Sequence, residues 1–410
     1  MKCFILTALA LLLSISAGAG GTVRDEMLDT FVKYAGIDSQ SSYTETTTAG
    51  QRAMALAIKA DADAAIAESG VRGAECSVSD DNYVYVRVPA NTKKACPSLG
   101  ISCHIDVTPE APGGNINPII DTRNGRTIVR TDGTTLLGAD DKCGCTIAMQ
   151  LLRTLLRDRK LRHGEVVFAF CPNEDVGRAA DGIDTDVFAP DILFDLDGEE
   201  GSEITNSNFT ARGFNVRFIG RDAHAGKAKE QGFGDAVAAA ATYIAAVPLQ
   251  HRPENTDKLQ GYIHPWSFEQ KPGEMDVTVQ TRVRYFDKAE GELFDGILQE
   301  ALANVRHSFP NVAAEVIYDG VQYENVAATL YPGVQRLVEE AAARSGKSVE
   351  FRSSRGGTTA SMLAARGMNG GMCVFTGQHD IHSTREYADL QEMEEAYTLM
   401  LEIIRTIPTL

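Results

Sequence analysis

The sequence predicts an α/β protein: a mostly parallel sheet with helices on both faces, interrupted by a separate α+β unit. Three observations carry that expectation. Between residues 98 and 197, apolar strand-like runs alternate with a helical stretch, the order that builds parallel sheets. Acidic residues and histidines recur just behind those runs, where the carboxyl ends of parallel strands gather functional groups. From about Thr210 the pattern changes to long alternating strands and an alanine-rich helix, and after Tyr323 the first pattern resumes.

Met1-Lys2, the apolar run Phe4 to Leu13 and the site Ala17-Gly18-Ala19 together read as a secretory signal over residues 1–19. The run is too short to span a membrane, so an exported protein, periplasmic or secreted, is expected. Residues 20–210 form the first part of the main domain. Asp25 to Ala35 and Thr48 to Glu68 have helical periodicity, and Tyr83 to Val88 alternates as a strand. Ser98 to Val107, Glu165 to Cys171 and Ile192 to Leu196 read as buried strands, with a strong helix over Cys143 to Arg159. Residues 211–322 form the inserted unit, with strands Ala211 to Ile219, Met275 to Phe286 and Ala314 to Tyr318 and helices Asp235 to Ala246 and Ala289 to His307. Residues 323–410 return to the main domain through helix Tyr331 to Ser345, strand Met372 to Thr376 and the closing helix Leu390 to Ile407.

Composition narrows the function. The 410 residues include 43% apolar residues, enough for a large core, and carry a formal charge of -17. That charge, without any basic stripe, argues against binding a phosphate backbone. Beyond Cys3, seven cysteines remain, an odd number and not a small disulfide framework. Cys103, Cys171 and Cys373 sit in apolar runs and read as buried thiols. Cys143-Gly144-Cys145 is read as packing rather than as a metal ligand. Cys76 and Cys96 flank a predicted hairpin, which leaves one disulfide open between them.

The recurring set is His104-Ile105-Asp106, Asp140-Asp141, Glu174-Asp175, Asp197 and His382. Two histidines among several carboxylates suit a pair of zinc-class ions, with cobalt or manganese as alternatives. In His104-Ile105-Asp106, strand periodicity puts both ionisable side chains on one face. A ligating histidine commonly donates its second ring N–H to such a neighbour. Asp140-Asp141 precedes a helix, where adjacent acids ordinarily act as caps, and Asp141 fits that role. The pair Glu174-Asp175 repels itself unless cations compensate, so one acid can ligate while the other exchanges a proton. His379 and His382 are both candidates behind the last strand. Arg355, in Arg355-Gly356-Gly357-Thr358, can fork onto a substrate carboxylate. His224 can donate to a developing oxyanion or cap a turn.

On His104-Ile105-Asp106-Val107-Thr108-Pro109-Glu110, on the run Thr131 to Lys142, on Asn115-Ile116-Asn117-Pro118 and on Arg355-Gly356-Gly357-Thr358, the chain resembles the peptidase T branch of the dinuclear zinc metallopeptidases. Carboxypeptidase G, acetylornithine deacetylase and succinyl-diaminopimelate desuccinylase belong to the same wider family. The resemblance covers nearly everything after the signal. It implies a zinc-exopeptidase-like catalytic domain, an inserted lid and dimerisation domain, a homodimer, and an aminopeptidase acting on tripeptides. It implies His104, Asp140, Asp175, Asp197 and His382 as metal ligands, with Asp140 bridging, Asp106 orienting the first histidine and Glu174 as general base. It implies His224 reaching a neighbouring subunit's site, and Arg284 and Arg355 contacting a substrate carboxylate. Three positions depart from that pattern: Glu174-Asp175 replaces two glutamates, Ile119 to Arg130 is short, and Gln378-His379-Asp380 replaces a tyrosine-containing segment. The signal also departs from an enzyme that is typically cytoplasmic. An N-acyl amino acid deacylase or a dipeptidase on the same scaffold is the alternative activity, and a catalytically inactive binding protein the alternative of another class.

Overall fold

The computed structural model describes residues 21–199 and 201–409, so the expected signal over residues 1–19 lies outside the described residues. No described helix is long and apolar enough to cross a membrane.

The first two helices form where their caps say they should. Thr22 and Thr48 each accept from the backbone N–H three residues on, and Asp25 and Gln51 reach back to close a capping box. The helices Val23–Ala35 and Ala49–Ser69 then bury Phe31, Tyr34, Met54 and Ile58 against the main sheet's core.

That sheet has eight strands, in the order Glu75–Val78, Val84–Val88, Val166–Cys171, Leu99–His104, Ile192–Gly198, Gly371–Phe375, Glu203–Asn208 and Glu350–Ser354. Leu99–His104 pairs parallel with both neighbours, Ile192–Gly198 pairs parallel with Gly371–Phe375, and Glu203–Asn208 with Glu350–Ser354. The remaining pairings are antiparallel. Every residue of Val166–Cys171, Leu99–His104 and Gly371–Phe375 is buried. Covering by helices on both faces is why these strands read as continuous apolar runs rather than alternating ones. The three parallel strands Leu99–His104, Val166–Cys171 and Ile192–Gly198 end together, which brings the acids behind them to one edge.

Helix Ala139–Arg157 starts earlier than the periodicity of Cys143 to Arg159 predicts. Its second and third residues, Asp140 (ψ 107°) and Asp141 (ψ 42°), are not helical, so the regular turns begin after them. Gly144 is required here, because a Cβ would meet the Leu196 carbonyl oxygen at 2.0 Å. Cys143 and Cys145 on either side are buried in the core, the packing role expected. Cys76 and Cys96 are free, so the hairpin disulfide does not form. Cys76 feels Asp63 and Lys59 of the second helix, whereas Cys96 lies against Gly164, and the two thiols serve different contacts.

A second sheet is wholly antiparallel, ordered Tyr262–Glu269, Val277–Tyr285, Thr210–Ile219 and Ala313–Tyr323. Helices Ala236–Ala246 and Lys288–Ser308 back one face, around a separate core that includes Phe214, Phe218, Tyr243, Phe294 and Leu298. A third sheet, absent from the sequence reading, joins Gln378–His379, Tyr387–Asp389, Arg126–Arg130 and Ile119–Arg123. Its hairpin turns on Asn124 (φ 52°) and Gly125 (φ 77°), two successive left-handed residues of the tight-hairpin type.

Candidate active site and metal centre

His104 closes strand Leu99–His104, Glu174 and Asp175 follow Val166–Cys171, and Asp197 is near the end of Ile192–Gly198. His382 (φ 57°) sits on the loop behind Gly371–Phe375, and Asp140 on the non-helical entry to its helix. These elements bring the five predicted ligands together. His104 Nε2 lies 3.0 Å from Asp140 Oδ1 and 3.6 Å from Asp197 Oδ1. His382 Nε2 lies 3.1 Å from the other Asp140 oxygen, Oδ2, and 3.0 Å from Asp175 Oδ1. Besides a trio of His104, Asp106 and Asp175, two trios, His104–Asp140–Asp197 and Asp140–Asp175–His382, have donor atoms within 4.8 Å of one another. Asp140 belongs to both.

The electrostatics of this set are those of acids awaiting cations. Burial pushes Asp197 up to about 7, and the Asp140 carboxylate adds to it while His104 opposes. Burial likewise lifts Asp175 to about 6, against the hydrogen bond from His382. Glu174 stands well above the usual carboxylate range, through burial first and then the charges of Asp197, Asp175 and Asp140. Hydrogen bonds to Asp140 and Asp175 raise His382 to about 11. Burial opposes the charged form of His104, but Asp106 and Asp140 outweigh it and its proton affinity rises. Asp175 Oδ2 is buried without a hydrogen-bond partner among the described residues. An orphaned carboxylate oxygen beside two imidazoles and two further carboxylates fits divalent cations of the zinc class.

Hydrogen bonds outside the trios hold the cluster. Asp106 accepts from the backbone N–H of Glu174 (3.0 Å) and Asp175 (3.2 Å). Its carbonyl oxygen lies 3.1 Å from His104 Nδ1 and its carboxylate 3.6 Å, so the direct bond to the ring comes from the main chain. Asp141 is the cap expected of it: Oδ1 accepts from Gly144 N–H at 2.9 Å, and Oδ2 accepts from His104 N–H at 3.0 Å. Asp195 accepts from Ser102 Oγ (2.6 Å) and Ala360 N–H (2.9 Å), tying the strand that carries Asp197 to its surroundings.

Sequence reasoning missed Glu386. It is 1% exposed, and its carboxylate accepts from the N–H groups of Leu137 (3.2 Å), Gly138 (2.6 Å) and Asp140 (3.0 Å). Gly138 (φ 78°) supplies the left-handed turn that points these N–H groups at one acid. Glu386 thereby fastens the loop of His382 to the loop of Asp140. Glu386→Ala leaves three buried donors unsatisfied and is expected to cost about 2–4 kcal/mol. Urea unfolding of the metal-free protein checks this; an unchanged midpoint contradicts the role.

Other candidates lie elsewhere. His379 stacks on Tyr387 (ring centroids 4.7 Å apart) and bonds Glu392 at 2.8 Å, which leaves His382 as the loop's ligand candidate. His224 is exposed, and its Nδ1 accepts from Gly226 N–H at 3.2 Å. It is not among the residues lining the cavity of about 390 Å³ bounded by Asp140, Glu174, Asp175, Asp197 and His382. Arg284 donates to the carbonyls of Val283 (3.0 Å) and Arg212 (3.4 Å), and its guanidinium lies 5.3 Å from the ring of Tyr323, which does line the cavity. Arg355 donates to the Lys258 carbonyl (2.7 Å) and packs over Phe209 (4.9 Å), so its fork holds the second sheet's loop rather than facing the cavity.

Known proteins resemble this chain over nearly its full length. Peptidase T of Geobacillus kaustophilus is 28% identical, the match covering 93% of this chain and 98% of that one. The solved aminopeptidase PepT of Bacillus cereus superposes with a TM-score of 0.74 at 21% identity, over 94% of this chain and 98% of that one. A tripeptidase of Staphylococcus aureus superposes with a TM-score of 0.74 at 20% identity, over 94% and 99%. A family model matches residues 100–406, and with it the chain belongs to peptidase family M20/M25/M40.

Proposed function

We propose that this metal-dependent hydrolase is an aminopeptidase that releases the N-terminal residue of short peptides, tripeptides foremost, with two zinc ions held by His104, Asp140, Asp175, Asp197 and His382. The observation that carries the reading is Asp140, whose two oxygens face two separate imidazoles, with Glu174 on the wall of the same cavity. Curated relatives named peptidase T along nearly the full length favour the peptide substrate. Cations in this site supply Lewis-acid polarisation of a carbonyl and lower the pKa of bound water.

The chain's own residues supply the rest. Asp106 fixes the backbone of Glu174 and so sets where its carboxylate lies. Glu174 accepts a proton from the attacking water and returns it to the leaving amine, a reversible exchange suited to a carboxyl of raised proton affinity. Gln378, buried, donates from Nε2 to Asp140 Oδ1 (3.4 Å) and to the Asp197 carbonyl (3.2 Å), and keeps both acids in register.

The test is the product set from a free tripeptide and its N-acetylated form, with and without a chelator. Chelator-sensitive release of the first residue from the free peptide alone is expected; cleavage of only the acetylated form overturns the assignment in favour of a deacylase. The reading also includes export and a homodimer in which His224 meets the partner's site. Sedimentation of the mature chain is expected to show a dimer, and a monomer with full activity refutes that role for His224.

A further inference from the structure

The second sheet has a face that its helices do not cover. Along Val277–Tyr285, the residues Val277, Val279, Thr281 and Val283 are buried, and the alternating Arg282 and Arg284 lie on the opposite face. One rung of that face is Tyr262, Arg284, Ala211 and Tyr323. Tyr323 lines the cavity of the candidate active site. The next rung outward is His264, Arg282, Gly213 and Gly320, about 7 Å further along the strands. Arg282 is therefore on the same face as the cavity wall, one step from it.

Its surroundings are built to hold it. The register between Tyr262–Glu269 and Val277–Tyr285 shifts between Pro265 and Ser267, so Trp266 is a bulged, extra residue. Bulges re-aim side chains. Here the indole lies under the Arg282 guanidinium, 4.4 Å from the ring. On the other side, the Tyr318 ring covers Gly213, where a Cβ would meet it at 2.6 Å. Arg212, Arg217, Arg252, Arg284 and Arg306 of this unit all donate to protein oxygens. The side chains of Arg221 and Arg282 donate to none among the described residues, and of the two it is Arg282, exposed, that lies over an aromatic ring, Trp266. Stacking covers the flat faces of a guanidinium and leaves its edge donors free for a carboxylate.

Arg282 also acts across the cleft. Tyr43 of the main domain donates to Glu110 at 3.2 Å, and its acidity responds to burial, to Glu110 and Asp175, and in the opposite sense to Arg282. Arg282 and Asp175 are thus both within electrostatic reach of the same phenol. The cavity walls themselves carry Glu174, Asp175, Asp197 and Glu199, so Arg282 is a cation one rung from the wall of an acidic cavity.

We propose that Arg282, held on Trp266, is a specificity-determining residue that binds an acidic side chain of the peptide on the leaving side of the scissile bond. The inference rests on the aminopeptidase reading and deepens it to a substrate class, short peptides with Asp or Glu after the first residue.

The experiment compares tripeptides that differ only in Glu or Gln at the second position, each as free acid and as C-terminal amide, on the metal-loaded protein. The wild type is expected to favour Glu by roughly tenfold in kcat/KM, carried by KM, in both the acid and amide series. Arg282→Gln is expected to bring the ratio to near one, and Arg282→Glu to shift preference toward a Lys peptide. A wild-type ratio near one, a ratio unchanged in Arg282→Gln, or a ratio that vanishes on amidation overturns the proposal, the last by assigning Arg282 to the terminal carboxylate.

A second readout does not depend on hydrolysis. Trp266 is the chain's one tryptophan, so its fluorescence reports this site alone. In a Glu174→Ala background, saturable quenching by the Glu peptide, weaker for the Gln peptide and lost in Arg282→Gln, supports the inference even if no peptide is cleaved. Equal quenching by both peptides overturns it. Wild-type silence toward every peptide with this quenching intact counts against the aminopeptidase reading instead.

Discussion

Glu174→Ala is expected to lower kcat by about a thousandfold while leaving two metal ions bound, because general acid–base groups of this kind contribute factors of 10²–10⁴. The geometry separates this residue from its neighbours. The three donor trios are built from His104, Asp106, Asp140, Asp175, Asp197 and His382, and Glu174 is in none of them. Yet it lines the same cavity, and its backbone is pinned by Asp106 at 3.0 Å. Burial raises its proton affinity, His104 opposes this, and the charges of Asp197, Asp175 and Asp140 add to it. Glu174→Gln keeps the shape and removes the exchange, and is expected to match the alanine variant in kcat. Metal content by plasma emission and kcat from one preparation decide the matter. Loss of metal along with activity makes Glu174 a ligand, and retained activity ends its role as base.

Asp140→Ala is the second large effect. Asp140 is the carboxylate that joins the His104–Asp140–Asp197 and Asp140–Asp175–His382 trios, with Oδ1 toward His104 and Oδ2 toward His382. Its removal weakens both sites at once, whereas Asp197→Ala or Asp175→Ala weakens one. Activity is expected to fall by about a thousandfold or more, the equivalent of several kcal/mol of lost electrostatic stabilisation. Equilibrium dialysis is expected to show weakened binding of both ions in Asp140→Ala but of one in Asp197→Ala. Equal, single-ion losses in the two variants contradict a shared ligand.

Much of this site was legible because parallel strands buried on both faces announce themselves as apolar runs, and their ends are where acids become informative. His104, Glu174-Asp175 and Asp197 each follow such a run, and the structure brings them together. What escaped did so for identifiable reasons. Glu203–Asn208 reads Glu-Ile-Thr-Asn-Ser-Asn, with no apolar pattern, and joins the sheet through its neighbours. Tyr262–Glu269 carries Pro265 and a bulge, both of which break strand periodicity. The Ile119–Arg130 hairpin carried a usable signal, Asn124-Gly125, which loop length alone obscured. Glu386 is a lone acid in a loop, and only the convergence of three N–H groups from 246 to 249 residues away gives it meaning. His379 and His382 are equivalent by chemistry; packing against Tyr387 and Glu392 separates them. The arginines show the reverse case, since Arg284 and Arg355 carry the right chemistry but their forks already bond protein oxygens.

The central claim, that this cluster is a two-ion hydrolytic centre, is tested most directly by titrating the chelator-stripped protein with zinc while following tripeptide hydrolysis. Activity is expected to appear only as the second equivalent per chain is bound and to stop rising beyond it. Full activity at one equivalent, or activity that survives stripping, contradicts the claim.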